Sequence, residues 1–84
     1  MNSSELSDAE LVARLAAGEG ERRRLDAELV RLAGELAERS RPELGSESLA
    51  RRYGERSAGQ LLERITLISS AEAARRIRLA ADTS

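Results

Sequence analysis

The side chains with the greatest capacity for chemistry in this sequence are its arginines. All 14 basic residues are Arg and none is Lys. A guanidinium group is planar and presents its N–H groups in a rigid fork, so it binds phosphate or carboxylate groups in a bidentate manner. Exclusive use of Arg therefore has two interpretations, which are codon bias in a GC-rich genome and selection for contacts to phosphate or carboxylate groups.

The balance between these arginines and the acidic residues changes along the chain. Residues 1–43 carry a net charge of −3, residues 44–84 a net charge of +2, and residues 51–78 alone a net charge of +4. A local excess of positive charge is typical of nucleic-acid-binding proteins, because it neutralises phosphates and releases counterions. Double-stranded DNA is therefore a candidate partner. The candidate DNA-binding residues are Arg51, Arg52, Arg64, Arg75, Arg76 and Arg78.

The sequence lacks the residues on which most catalytic sites depend. It contains no His and no Cys, which excludes thiol chemistry, disulfide bonds, the usual zinc sites and acid–base catalysis by His. Its neighbouring carboxylates lie in highly charged helical segments, where a solvated surface role is expected. We predict no catalytic residues, cofactor-binding residues, metal ligands or small-molecule substrate. The chain is not expected to be an enzyme, although a longer parent protein could be a nuclease.

The N-terminal segment and the hydropathy of the chain bear on its location. The first ten residues are polar and acidic, which is not the pattern of a signal peptide. The sequence has no apolar run of 18 residues, the length that a membrane-spanning helix requires. Both features predict a cytoplasmic protein that does not enter a membrane.

The elements that must position the arginines are predicted to be helices. Thirteen Leu and 14 Ala dominate the apolar residues, while Phe and Trp are absent and only one Tyr is present. Leu and Ala favour helices, and the aromatic and β-branched residues that favour strands are scarce. The 84 residues allow one domain with a thin core. We predict a small all-α fold with one long helix or a helix pair over residues 1–39 and short helices over residues 40–84.

Helix starts are indicated by Ser followed three residues later by Glu or Gln, a pair that satisfies free N–H groups at a helix N-terminus. The four pairs are Ser7 with Glu10, Ser40 with Glu43, Ser57 with Gln60, and Ser69 with Glu72. The predicted helices cover residues 8–17, 21–39, 49–53, 58–66 and 71–80. In the fourth helix, Leu61, Leu62 and Ile65 are expected to face inward.

One apolar seam stands out in the first half of the chain. Its core comprises Leu25, Leu29, Leu32 and Leu36, spaced by four, three and four residues. Leu11, Leu15, Gly18 and Arg22 continue the same heptad phase towards the N-terminus. The first two helices could thus form one kinked helix of about 30 residues, and the two glycines favour a break or kink near Gly18. We expect the four leucines to be buried, either against other helices or in a homodimer.

The second half of the chain has the spacing of a helix-turn-helix motif, and two alignments are possible. In the first, residues 48–54 and 57–65 supply the two helices. In the second, residues 58–66 and 71–80 do so, and the second helix presents Arg75, Arg76 and Arg78 on its exposed side. Its opposite face is then formed by Ala74 and Ile77, as a recognition helix requires. The alternative interpretation is a pair of ordinary amphipathic helices in a small bundle.

Several motifs of this half resemble a known family. They are the Arg-Ser-Arg-Pro-Glu-Leu-Gly stretch at 39–45, Leu-Ala-Arg-Arg at 49–52, residues 57–62, and Ser-Ala-Glu-Ala-Ala-Arg-Arg at 70–76 with Arg78 and Leu79. Residues 20–82 resemble the start of a helical domain of unknown function that is common in actinobacteria and usually precedes an HNH nuclease domain. The resemblance implies an association with DNA. No nuclease residue is carried over, because the chain has no His.

Two functional hypotheses follow from these observations. The first is a non-catalytic helical domain that binds or positions DNA for a nuclease-related or regulatory protein. The second is a module for homodimerisation or protein interaction that makes no contact with nucleic acid.

Overall fold

The computed structural model of the chain describes residues 2–83, and every regular element within that range is a helix. Helix α1 spans Asp8–Arg39, α2 spans Leu49–Arg52, α3 spans Ala58–Thr66 and α4 spans Ser70–Thr83. Two short 3-10 helices lie at Ser3–Glu5 and Pro42–Glu47. The all-α prediction, with one long helix followed by shorter ones, is confirmed.

Helix α1 is continuous over 32 residues, so the predicted break near Gly18 is wrong. Two interior glycines destabilise a helix by about 2 kcal/mol together. The surrounding residues are mostly strong helix formers, and acidic and arginine side chains pair along the exposed surface. Glu19 pairs with Arg22 at 3.4 Å, and Glu21 pairs with Arg24. These local contributions oppose the cost of the glycines, and the helix passes through both.

The start of α1 follows the predicted capping pattern in full. The Ser7 hydroxyl accepts a hydrogen bond from the Glu10 amide at 3.1 Å, and the Glu10 carboxylate accepts one from the Ser7 amide at 3.0 Å. At two later helix starts only the serine half of the pattern is present. Ser57 accepts from the Gln60 amide at 3.2 Å, and Ser69 accepts from the Glu72 amide at 3.0 Å. The carboxylate of Glu72 is therefore left for other partners.

The predicted cap at Ser40 is wrong. Ser40 ends α1 instead of starting a helix, because Pro42 begins a separate 3-10 helix whose N-cap makes no side-chain hydrogen bond. The Ser40 hydroxyl accepts a hydrogen bond from the Ala50 amide at 3.1 Å. That bond connects the C-terminal end of α1 to the first turn of α2.

Helix α2 is short but closed at both ends. Ser48, which the sequence pattern did not identify, caps its N-terminus by accepting from the Arg51 amide at 3.2 Å. At its C-terminus the Gly54 amide donates to the Arg51 carbonyl, and the Glu55 amide donates to the Ala50 carbonyl. These two bonds form a Schellman motif, which requires the left-handed backbone that Gly54 adopts at φ 84°.

Helices α3 and α4 are joined by the predicted turn at residues 67–69. Leu67 adopts a left-handed conformation with φ 60°, and its amide donates to the Glu63 carbonyl at 2.8 Å. A β-carbon disfavours this backbone region, which glycine usually occupies at a helix C-terminus. The turn of the second helix-turn-helix alignment thus forms without a glycine.

The core lies where α3 and α4 pack on the C-terminal half of α1. Ala33, Leu62 and Ala73 are buried together, with Leu36, Ile68 and Ile77 packed around them. Ala50 and Leu61 are also buried. Three of the five buried apolar residues in the described range are alanines, and these small side chains let the helices approach closely.

Two predicted inward positions are wrong. Ile65 is 59% exposed, whereas its neighbours Leu61 and Leu62 are buried as expected. In α4, Ala73 is buried and Ala74 is exposed, although Ile77 is half-buried as predicted. Both errors arise because α4 approaches α1 and α3 from a direction that the helical period alone does not specify.

The molecule has an exposed helical part and a packed part. We call residues 8–29 of α1 the stalk, because every side chain in this range is exposed. We call residues 30–83 the head, because burial begins at Val30 and continues through α4. The molecule measures 56 × 25 × 19 Å along its principal axes, and the stalk accounts for its elongation.

Gly34 provides a direct test of the contact between α1 and α4. A β-carbon placed on Gly34 would lie 2.6 Å from the Ala80 β-carbon. Gly34→Ala should therefore lower the free energy of unfolding by about 1–3 kcal/mol through overpacking, although alanine is the better helix former. A β-carbon placed on Gly20 would have none of the surveyed atoms within 4 Å. Gly20→Ala should raise the free energy of unfolding by roughly 0.5–1 kcal/mol. Urea denaturation of both variants measures the contrast, and equal effects would contradict close packing at Gly34.

Candidate functional site

The predicted DNA-binding arginines of α4 surround Glu72. The Arg75 guanidinium binds this carboxylate in a bidentate manner, with Nε–Oε2 and Nη2–Oε1 distances of 2.8 and 2.6 Å. Arg76 donates to Glu72 Oε1 at 3.1 Å, and only 15% of its side chain is exposed. Two of the three arginines of this helix are therefore engaged within their own helix.

The pairing shifts the titration of both partners. The hydrogen bond from Arg75, together with a second from Arg76 and the two positive charges, lowers the pKa of Glu72 from 4.5 to about 2. The hydrogen bond and the negative charge of Glu72 raise the pKa of Arg75, with a weaker attraction from Asp26 on α1. Glu72 is thus ionised throughout the physiological range.

Arg64 is also committed to an internal contact. Its Nε lies 2.9 Å from a carboxylate oxygen of Glu55, and its Nη2 donates to the Tyr53 carbonyl at 2.8 Å. These contacts connect α3 to the segment that follows α2. Arg64 therefore stabilises the fold, and contact with a phosphate would require it to give up these bonds.

Three of the predicted arginines remain available. Arg51, Arg52 and Arg78 are exposed, and none of them forms an ion pair with another residue in the range 2–83. Arg56, which was not among the predicted site residues, is exposed and likewise has no ion pair within that range. The predicted patch is thus divided into three arginines held by carboxylates and three that face solvent.

The leucine seam presents a second candidate surface. We use this name for the heptad positions Leu11, Leu15, Gly18, Arg22, Leu25, Leu29, Leu32 and Leu36. Leu25, Leu29 and Leu32 are 53%, 38% and 55% exposed, so their predicted burial against other helices of the same chain is wrong. Only Leu36 packs against the core of the head. The expected burial in a homodimer stays a prediction.

The stalk extends this exposed apolar surface towards the N-terminus. Leu15 and Val12 are both 66% exposed, and Leu11 is also largely exposed. Exposed apolar residues thus form two groups on α1, one at residues 11–15 and one at residues 25–32, separated on the seam by Gly18 and Arg22. Exposed apolar patches of this kind often mark interaction sites.

A groove in the head continues the seam at its C-terminal end. The groove has a volume of about 250 Å³ and is open to solvent. Its lining residues are Leu32, Glu35, Leu36, Arg39 and Leu49. Three of these residues are leucines, and the other two, Glu35 and Arg39, form an ion pair at 2.8 Å. A leucine-sized side chain from another helix fits the chemistry of this groove.

A larger open cleft of about 1060 Å³ lies between α1 and the C-terminal half of α4. Ala27, Val30, Gly34 and Ala37 on α1 and Ile77 and Ala80 on α4 contribute to its lining. Within residues 2–83, no buried side-chain nitrogen or oxygen lacks a hydrogen-bond partner.

Comparisons of the chain with protein-family models, with curated proteins and with solved structures give no match. The resemblance to the helical domain that precedes HNH nucleases therefore stays a prediction. Across the described residues, no helix is both long enough and apolar enough to cross a membrane. The same range contains no group of three or more acidic side chains placed to hold a metal ion.

Several residues that organise these surfaces were not identified from the sequence. Gly34 and Ala33 set the distance between α1 and α4, and Leu49 completes the groove. Glu72 was recognised only as a cap, although it holds two of the six candidate arginines. The spacing of Glu72 from Arg75 and Arg76, three and four residues, is the signal that could have revealed this role.

The cluster around Glu72 predicts a specific dependence on pH. The carboxylate has a lower pKa in the folded chain than the ordinary 4.5, so the cluster stabilises the fold fully above about pH 4.5. This stabilisation is lost as the pH falls towards 2. A nuclear magnetic resonance titration should place the Glu72 carboxyl near 2 and show its return towards 4.5 in Arg75→Gln. Arg78→Gln, which removes an unpaired guanidinium, should leave it unchanged. A wild-type value near 4.5 would contradict the pairing.

Proposed function

We propose that this chain is a non-catalytic interaction module that self-associates through the leucine seam of α1. The observation that carries the proposal is the exposure of Leu25, Leu29 and Leu32 along one uninterrupted helix of 32 residues. Leucines repeated at heptad positions are energetically unfavourable in water and are buried when two helices pack together. A second copy of the chain carries the same seam and can cover it.

The surroundings of the seam also support helix pairing. Glutamates beside the seam pair with arginines on the same helix, as Glu21 does with Arg24 and Glu28 does with Arg31, and these pairs stabilise the helix without any partner. The head packs on the C-terminal half of α1 alone, so it holds one end of the helix and leaves the other end accessible. A cytoplasmic location belongs to the same proposal, because the N-terminal residues are polar and acidic.

Leu15→Glu tests this proposal, since Leu15 is 66% exposed and lies in the stalk, away from the head. The variant should retain its helix content and its core, but its dimer should dissociate. A symmetric dimer loses two leucine contacts at roughly 1.5–3 kcal/mol each, which corresponds to a weakening of the dissociation constant of at least about 100-fold. Sedimentation equilibrium measures the change.

Ala13→Glu is the matched control, because Ala13 is exposed on the side of α1 opposite the seam. It introduces the same charge into the same turn region and should leave the association unchanged. A wild-type protein that remains monomeric at high micromolar concentration would refute self-association through this helix. Equal effects of the two substitutions would place the interface on another surface.

DNA binding is a second candidate function, and the exposure of Arg51, Arg52 and Arg78 without ion-pair partners in the described chain supports it. The arrangement of α3, the turn at 67–69 and α4 has the element order of a helix-turn-helix. Arg64, Arg75 and Arg76 would contribute less than the sequence suggested, since each already contacts a carboxylate. The two functions are compatible, because a dimer presents two copies of the free arginines.

Three phosphate contacts per protomer predict a slope of about −2.7 when the logarithm of the association constant is plotted against the logarithm of the salt concentration. A fourfold increase in salt should therefore weaken duplex binding by about 40-fold. Replacing Arg51 and Arg52 together by Gln should make the slope shallower by about 1.8, because two phosphate contacts are lost. Replacing Arg24 and Arg31 by Gln changes the net charge equally and is the control, because both already pair with glutamates of α1. Absence of binding at low salt would reject this candidate.

A further inference from the structure

We infer that two copies pair their α1 helices in antiparallel orientation, with the N-terminal leucines of each stalk seated in the groove of the other head. This inference rests on the proposed self-association and adds its orientation and register. The observation behind it is the uneven composition of the leucine seam. Leucines occupy both ends, whereas Gly18 and Arg22 lie near its middle.

A parallel, in-register pair brings each seam residue against its own copy. Gly18 then faces Gly18, which leaves a gap in the interface, and Arg22 faces Arg22, which places two like charges in one core layer. Gaps and like charges in a helix interface both oppose association. The exposed leucines at the two ends of the seam would pair, but the middle of the interface would not.

An antiparallel pair aligns complementary residues instead. In this register the layers are Leu11 with Leu36, Leu15 with Leu32, Gly18 with Leu29, and Arg22 with Leu25 of the second copy. Each layer then combines a heptad a residue with a d residue, as antiparallel coiled coils do. The space beside Gly18 receives the Leu29 side chain, and the two Arg22 guanidinium groups lie on different layers.

The shape of the head agrees with this register. The groove formed by Leu32, Leu36 and Leu49 lies at the C-terminal end of the seam, which is where Leu11 and Leu15 of the second copy arrive. Val12 flanks the seam on the side where Ala33 faces the head core. Antiparallel pairing therefore brings Val12 to the edge of the second head, whereas parallel pairing leaves it beside polar residues near the N-terminus.

The flanking charges attract at the ends of this arrangement and repel in its centre. Arg14 of one copy lies opposite Glu35 of the other, and Glu35 lines the groove. In the centre, Glu19 meets Asp26 and Glu21 meets Glu28. Arginines on the same helix contact three of these carboxylates, as shown by the pairs Glu19–Arg22, Glu21–Arg24 and Glu28–Arg31. Exposed like-charge pairs that are screened in this way oppose association only weakly.

Cysteine cross-linking tests the orientation cleanly, because the native chain has no Cys. Leu15→Cys and Leu32→Cys change two exposed positions that share a layer only in the antiparallel register. Under mild oxidation, each variant alone should stay uncross-linked, and an equimolar mixture should yield the mixed disulfide dimer identified by mass. Disulfide formation requires β-carbons within about 4.5 Å, so distant pairs do not react. A dimer linked through Cys at position 15 in the single variant would overturn the antiparallel register.

A second measurement avoids any change in the seam. Spin labels attached to Ala13→Cys, on the opposite side of α1, should have an axial offset of about 32 Å in the antiparallel dimer and none in the parallel dimer. An offset near zero would overturn the inference even if the seam substitutions prevent association. Sedimentation of the unlabelled chain distinguishes failure of the proposed function from failure of this inference. A monomer refutes self-association itself, whereas a dimer whose spin labels show the wrong offset refutes only the antiparallel orientation.

Discussion

Helix α4 approaches α1 so closely at Gly34 that a single β-carbon there would collide with Ala80. The rest of the head depends on this approach, because it brings Ala33 and Ala73 into one buried cluster with Leu62. Small residues bury little apolar area each, and their contribution comes from close packing of helix backbones and many short contacts. The core is consequently compact and limited in extent.

This limit explains why so much of α1 remains uncovered. Three helices of four, nine and 14 residues cover only the C-terminal part of a helix of 32 residues. The stalk is stabilised locally by its cap and its Glu–Arg pairs, so it needs no tertiary contact to remain helical. Its leucines are not buried in the isolated chain, and the seam of a second copy would bury them. The proposed association thus follows from the same shortage of core residues that shapes the head.

The arginines have divided roles for a related reason. A carboxylate placed three or four residues away on a helix meets the guanidinium at little entropic cost, and Glu72 does so for Arg75 and Arg76. Across helices, Glu55 does the same for Arg64. Positive charge counted along the sequence therefore exceeds the positive charge that is free on the surface. Arg51, Arg52 and Arg78 are the guanidinium groups of the predicted site left to meet an external anion.

The sequence by itself determined the features that depend on local interactions. The helical class, the bounds of α3, the turn at residues 67–69 and the capping box at Ser7 all follow from backbone propensity and from side chains within four residues of each other. The heptad phase of the leucine seam is also readable without a structure. The continuity of α1 through Gly18 was less clear, because the cost of its two glycines, about 2 kcal/mol together, opposes the favourable local terms.

The tertiary structure alone decided which faces of those helices are covered. Helical periodicity marks an apolar side of α4, but the approach of α1 at Gly34 selects Ala73 over Ala74 for burial. The tertiary structure also decides that Leu36 belongs to the core while Leu25, Leu29 and Leu32 stay exposed. It further brings Arg64 of α3 to Glu55, which follows α2. These outcomes depend on distances between residues far apart in the chain, which are set by close packing of the whole head and not by any local pattern.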